Sequence, residues 1–304
     1  MEKLNEVCFG KYFFKVGIIL RNSNLISSLL INAEAWYNVT QADIDLLESA
    51  DESLIRRILE CPLSTPKEML YLELGILPIR YIIQMRRLNF LQYILYEEEN
   101  SLVHSFLKTQ LDNPTAGDWG NSCLESMEAL NMELDISDIK IMKKSTFNNL
   151  VKKKTCIKAL EDLNKQKAKH SKVLHIVHSK LKMETYLEGN KLLTVECKFL
   201  FHVRSRMLEL KANFKNSHED TICPCCQEEE DTQEHLLSCE NIHEGNIISE
   251  SLPNYKDLVG ENELKQAQVC RILRARFEKR KQFTTSKSGP CDPYYMWSAV
   301  AMYY

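Results

Sequence analysis

Several things are missing from this chain of 304 residues, and each absence removes a class of protein. No apolar run reaches the roughly 18 to 20 residues that a membrane span needs. The nearest, Ile18 to Ile31, is interrupted by Arg21, Asn22 and Asn24, so a soluble chain without membrane contact is expected. Only 9 glycines are present, and none falls into G-x-x-x-x-G-K-[ST] or G-x-G-x-x-G, the loops that bring backbone N–H groups against phosphates. No H-E-x-x-H stretch offers a zinc-protease helix. Apolar residues hardly ever alternate with period two and no internal repeat is visible, which argues against sheet and solenoid architectures. The start, Met-Glu-Lys-Leu-Asn-Glu, has no basic segment leading into an apolar run. With an odd number of cysteines, 11, scattered rather than regularly spaced, this predicts free thiols in a reducing compartment, nuclear or cytoplasmic and not secreted.

Net charge is also small, at −3. Its distribution is uneven, however. From Lys140 to Asp220 there are 19 Lys and Arg against 8 Asp and Glu, a local excess of +11 that leaves −14 for the remainder. Segregation of this kind produces a basic face on an acidic protein.

Helical punctuation runs through most of the chain. Thr40 and Asp43 form a predicted capping box at the head of a helix from Gln41 to about Leu59. Thr65-Pro66-Lys67-Glu68 predicts another start, with Pro at the first helical position, and Gly75 a stop. Pro78 restarts a helix rich in Ile and Leu, and Ser101 caps a short one to about Leu111. A helix is expected from about Ser122 to Leu130, then a long basic one from about Asp138 to Lys167. Thr194 opens a helix to about Lys211, and Glu263 to Gln282 is the last. The expected class is all-α: a multi-helix bundle over 1–112, a basic helical connector over 118–212, a small metal knuckle over 221–243, a helical region over 244–283 and a tail over 284–304.

The densest chemistry lies at Cys223, Cys226, His235 and Cys239, spaced C-x2-C-x8-H-x3-C within 17 residues. Thiolate and imidazole together suit tetrahedral Zn2+, which needs no redox change. A short helix through His235 and Cys239 places them at i and i+4 on one face, and Asp231, with Glu234 three residues on, is positioned to cap it. One structural zinc with four protein ligands is the expectation, and Cys225 is the spare thiol. His243 is an alternative to His235, less well spaced from Cys239. His175 and His178, at i and i+3, could bind a second metal on a helix, but surface or backbone-bonded histidines are the expectation. Trp36 and Trp119 read as core or interface anchors. The terminal aromatics Tyr294, Tyr295, Trp297, Tyr303 and Tyr304 read as packing or tail residues with base stacking as the alternative.

Ordered signatures from Leu29 to Leu95 resemble the region after the catalytic palm of non-LTR (LINE-type) retrotransposon reverse transcriptases. They are Ala33-Glu34-Ala35-Trp36, then Arg56-Arg57-Ile58-Leu59, then Leu74-Gly75 with Pro78-Ile79, then Arg86-Arg87-Leu88. The downstream Cys223, Cys226, His235 and Cys239 match the cysteine–histidine cluster of several such elements. The resemblance implies a thumb-like helical domain and a zinc knuckle that hold the backbone of template RNA or DNA, together with the rest of the reverse transcriptase. Under it Arg56, Arg57, Arg86, Arg87, Lys152, Lys153, Lys154, Arg204 and Arg206 are the candidate phosphate contacts. The family's aromatic-x-Asp-Asp motif, which holds two metal ions for polymerisation, would lie upstream of Met1 and is not found in the chain. Pro290-Cys-Asp292-Pro reads as a turn and not as part of a nuclease. The chain by itself is therefore not expected to be an enzyme. The rival expectation is a retroelement fragment, co-opted or decayed, that acts as a helical scaffold for other proteins.

Overall fold

The computed structural model describes residues 12–188, 191–218, 220–242 and 263–287. Its elements are helical, and among the described residues the only β pairing is an isolated antiparallel bridge between Ile222 and Glu230. The chain divides into two units, Met1–Asn190 and Lys191–Tyr304. No helix among the described residues is long and apolar enough to cross a membrane.

In the first unit, α1 (Phe13–Leu20) runs into a π-helical segment, Arg21–Ile26, and a short turn, Ser27–Leu29. Helices α2 (Gln41–Leu59), α3 (Lys67–Leu74) and α4 (Ile79–Tyr96) follow. The remaining helices of the unit are α5 (Leu102–Asp112), α6 (Trp119–Ala129), α7 (Ile136–Ile141) and α8 (Lys144–Lys167). The capping box at Thr40 and Asp43 is present, with each side chain serving the other's backbone N–H. Ser101 caps α5 by accepting from the His104 N–H. Helix α3 begins one residue later than Thr65-Pro66 suggested, with Pro66 at the N-cap.

Helix α4 is the axis of this unit. Apolar residues cover more than one side of it, the pattern of a helix buried all round. Ile79, Ile82 and Ile83 pack with Ile26, Leu30 and Ala33. Leu88, Leu91, Ile94 and Leu95 enter a second cluster with Leu107, Cys123, Met127, Ile139, Phe147 and Val151. That cluster joins helices from both sides of the 112/118 boundary expected from sequence, so those segments share one core and the division falls elsewhere. Trp36 and Trp119 are anchors of this unit. Trp36 packs beside the first cluster, and Trp119 donates Nε1–H to the Glu34 carbonyl at 2.8 Å.

The expected single basic helix from Asp138 is instead two, α7 and α8. Met142 between them is extended, with ψ 132°. Its carbonyl accepts from Gln92 Nε2 at 2.9 Å and from the Tyr96 hydroxyl. Two donors on α4 therefore hold the carbonyl out of the helical ladder, a tertiary preference over local propensity.

After α8 the chain returns across α3 through residues 168–188. His178 Nε2 lies 3.3 Å from Glu73 Oε1, and the Tyr186 hydroxyl donates to Glu73 Oε2 at 2.7 Å. His175 is exposed and His178 buried, so the two do not form a pair. Gly75 ends α3 in the left-handed conformation, φ +62°, where a Cβ would lie 2.1 Å from the backbone of Lys182 and Met183. Gly75→Ala is expected to cost more than the roughly 1–2 kcal/mol of the left-handed backbone alone, because the returning segment must also move. Urea unfolding checks this, and a loss under about 0.5 kcal/mol, ordinary for a surface change, would contradict the close approach.

The second unit contains α9 (Thr194–Arg204), α10 (Gln233–Ser238), which lies within the cysteine–histidine segment, and α11 (Glu263–Lys287). Helix α9 stops before the expected Lys211, and Arg206 follows it with φ +59°. Helix α11 runs on to Lys287. His243, the terminal aromatics and the rest of the predicted tail lie outside the described residues.

Candidate metal centre

The Cys223–Gln227 turn is held by short-range backbone bonds. Cys223 N–H donates to the Glu229 carbonyl at 2.8 Å, Asp231 N–H to Thr221 at 2.7 Å and Gln227 N–H to Cys223 at 2.9 Å. Gln227 takes φ +62° to close the turn. These bonds present Cys223 and Cys226 from one side. Helix α10 presents His235, and Cys239 directly follows its last turn. The ligand atoms of Cys223, Cys226, His235 and Cys239 all lie within 4.8 Å of one another, close enough to converge on one metal ion. Cys223 and Cys239 are each 1% exposed and His235 8%.

The helix is capped one residue later than the sequence suggested. Thr232, not Asp231, accepts the His235 N–H, at 3.0 Å. Asp231 is 1% exposed and receives the Lys211 N–H at 2.8 Å and Arg280 Nε at 2.8 Å. Glu234 leaves the cap altogether and pairs with both Arg206 terminal nitrogens, at 2.9 and 2.5 Å.

The thiols differ sharply. Burial raises the Cys226 thiol, but N–H groups of Glu228 and Glu229 and the hydrogen-bonding contacts with Cys223 and His235 outweigh it and bring the group down to about 7. Cys239 is pushed up to about 12, by burial first and then by the neighbouring Cys223 and Cys226. Cys225 is raised to about 11, again chiefly by burial, and stands outside the ligand set. Elsewhere burial raises Cys61 to about 11 and Cys123, Cys197 and Cys270 to about 12. Cys123, Cys197 and Cys270 are buried, and enclosed thiols behave as small apolar side chains. All nine described cysteines are free thiols.

The predicted phosphate-contact residues separate into three groups. Arg87 is 9% exposed and Arg204 3%. Arg87 donates to the Trp36 carbonyl at 3.2 Å, and burial lowers its basicity. Neither residue is available to a backbone phosphate. Arg56 fastens the loop after α2 by donating to the carbonyls of Pro62 and Thr65 at 2.9 and 3.0 Å. Arg86 donates to Leu30 at 2.5 Å, and Lys154 to Asn131 at 2.8 Å. Arg206 is engaged by Glu234. Arg57, Lys152 and Lys153 stand exposed.

Around the metal-ligand group, cations are matched by anions: Lys211 with Asp220, Lys215 with Glu230, Arg271 with Glu196 and Arg280 with Asp231. No family model, curated protein or solved structure matches the chain. The centre is therefore defined by its geometry, as a Cys3His group in a helical protein.

Proposed function

We propose that the Cys3His group is a structural zinc site and that the chain is a non-catalytic nucleic-acid-binding module. The support for zinc is the donor set and its spacing. With Zn–S about 2.3 Å and Zn–N about 2.0 Å, tetrahedral edges are about 3.5–3.8 Å. Cys223 and Cys239 sulfurs are 4.0 Å apart, and Cys226 Sγ is 3.3 Å from His235 Nε2. Four protein ligands leave no position for a substrate or a reactive water, so such an ion organises a surface.

The observation that carries nucleic-acid binding is the set of exposed lysines along α8. Lys144, Lys152, Lys153 and Lys165 are exposed there against one exposed acid, Glu161. Lysines on a rigid helix neutralise backbone phosphate without reading bases, and counterion release drives the association. The ordered likeness of residues 29–95 to the reverse transcriptase thumb favours a retroelement origin, with template RNA or DNA as the ligand. Binding of a labelled duplex, measured by anisotropy, should weaken steeply between 50 and 200 mM salt, as expected for several phosphate contacts. Replacing Lys152 and Lys153 together by Gln should weaken it further and reduce the salt slope by about two. Binding that ignores salt, or no binding, refutes the reading.

One observation favours a second reading, a helical scaffold for another protein. Leu102, Val103 and Phe106 lie on one helix, α5, and are 85%, 51% and 64% exposed. A stable protein partner without nucleic-acid affinity would select it.

A further inference from the structure

Three acidic residues, Glu228, Glu229 and Glu230, follow the turn that carries Cys223 and Cys226. They have different tasks. Glu230 pairs with Lys215 at 2.8 Å. Glu229 alone reaches the histidine ligand, with Oε2 at 2.7 Å from His235 Nδ1. The other ring nitrogen, Nε2, faces the sulfurs at 3.3 Å from Cys226 Sγ. The two nitrogens are therefore sorted, one toward the carboxylate and one toward the ion.

From this we infer that Glu229 is the positioning residue of the metal centre: its carboxylate accepts Nδ1–H and thereby directs the Nε2 lone pair to the metal. The inference rests on the zinc reading above. A carboxylate behind a ligating imidazole fixes its tautomer, holds the ring plane and raises its basicity. The backbone delivers this carboxylate at a set position. The Glu229 carbonyl accepts the Cys223 N–H at 2.8 Å, and its own N–H supports the Cys226 sulfur. One residue thus touches three of the four ligands. Its carboxylate lies on the far side of the imidazole from Nε2, which makes it an orienting group and not a fifth ligand.

The test uses the full chain, zinc and a competing chelator. Glu229→Ala should weaken zinc binding roughly 10- to 100-fold, and Glu229→Gln, which keeps an acceptor oxygen, should lose less. Glu240→Gln removes an exposed carboxylate beside Cys239 and should leave affinity unchanged, separating the hydrogen bond from general charge. Nitrogen-15 NMR of the zinc-loaded wild type should place the metal on His235 Nε2 and a proton on Nδ1, a readout that a fold defect in a variant does not affect. Metal on Nδ1, or equal affinity for wild type and Glu229→Ala, overturns the assignment while leaving the zinc site standing. A wild-type protein that takes up no zinc overturns both.

Discussion

Chelating the proposed zinc, or replacing Cys223 by Ser, should unfold the segment 221–242 and release α11 from it. The segment is short, and its buried apolar residues are few: Leu236, Leu237 and Ile242, besides the cysteines. So small a core cannot offset the entropy of ordering the chain, and under the zinc reading proposed above the ion supplies the difference. Structural zinc contributes an apparent ~10–16 kcal/mol in comparable small modules near pH 7.

The effect should spread because α11 is fastened to the ligand frame by directed bonds. Arg276 donates to the Leu236 carbonyl at 3.3 Å and to the carbonyl of the ligand Cys239 at 3.2 Å. Arg280 and Asp231 form a buried pair at the base of α10. The apolar side of α11 adds Val269, Leu273 and Phe277 to the core, with Phe277 5.8 Å from Phe199. The measurement is limited proteolysis and thermal circular dichroism with and without chelator. Cleavage within 263–287 and a large fall in melting temperature are expected on metal removal. Identical protection in both states would show that the ion holds nothing together. Uptake should also weaken as pH falls, since the ion must displace protons from thiols such as Cys239, at about 12.

Asp51→Ala should destabilise the first unit by about 3–5 kcal/mol. Arg21 and Asp51 side chains are 2% and 0% exposed, and their closest atoms are 2.6 Å apart. Two bonds of 2.6 Å join the guanidinium to the carboxylate, and Arg21 also donates to the Leu77 carbonyl at 3.0 Å. The Tyr71 hydroxyl approaches Asp51 at 3.4 Å. Removing the aspartate leaves a charged guanidinium with no counter-ion inside the core, which is why the loss greatly exceeds that of a surface pair. Replacing both partners with apolar residues of similar size, Arg21→Met with Asp51→Leu, should recover most of the loss, because the desolvation of two charges disappears with them. Urea unfolding of the two variants decides it. A single variant within about 1 kcal/mol of wild type, the range of exposed pairs, would place the charges in water.

Much of the helical framework and the whole ligand set could be read from the sequence. The Thr40 box, the Ser101 cap, Gly75 and the C-x2-C-x8-H-x3-C spacing are relations across a few residues, where backbone geometry alone determines what meets what. The cap of α10 missed by one residue because Asp231 and Thr232 are both good caps, and Arg280, 49 residues away, claims the first. The split between α7 and α8 was invisible for the same reason, since the donors to Met142 sit on another helix. Glu229 had a sequence signal, the acidic run beside the ligands, but nothing in the run distinguishes the residue that reaches the imidazole.

The clearest divergence concerns the arginines. Each is a surface cation by composition, and Arg21 interrupts an apolar run as though to keep it in water. Their partners are remote: Asp51 lies 30 residues from Arg21, Trp36 51 from Arg87, Leu30 56 from Arg86 and Glu234 28 from Arg206. By itself the sequence determined that the chain is helical, where most helices begin and end, and which four side chains can share a metal ion. Only the tertiary structure decided which charges are enclosed and which face water. Burying a charge is tolerable only beside a counter-charge or carbonyl, and here those partners come from distant parts of the chain.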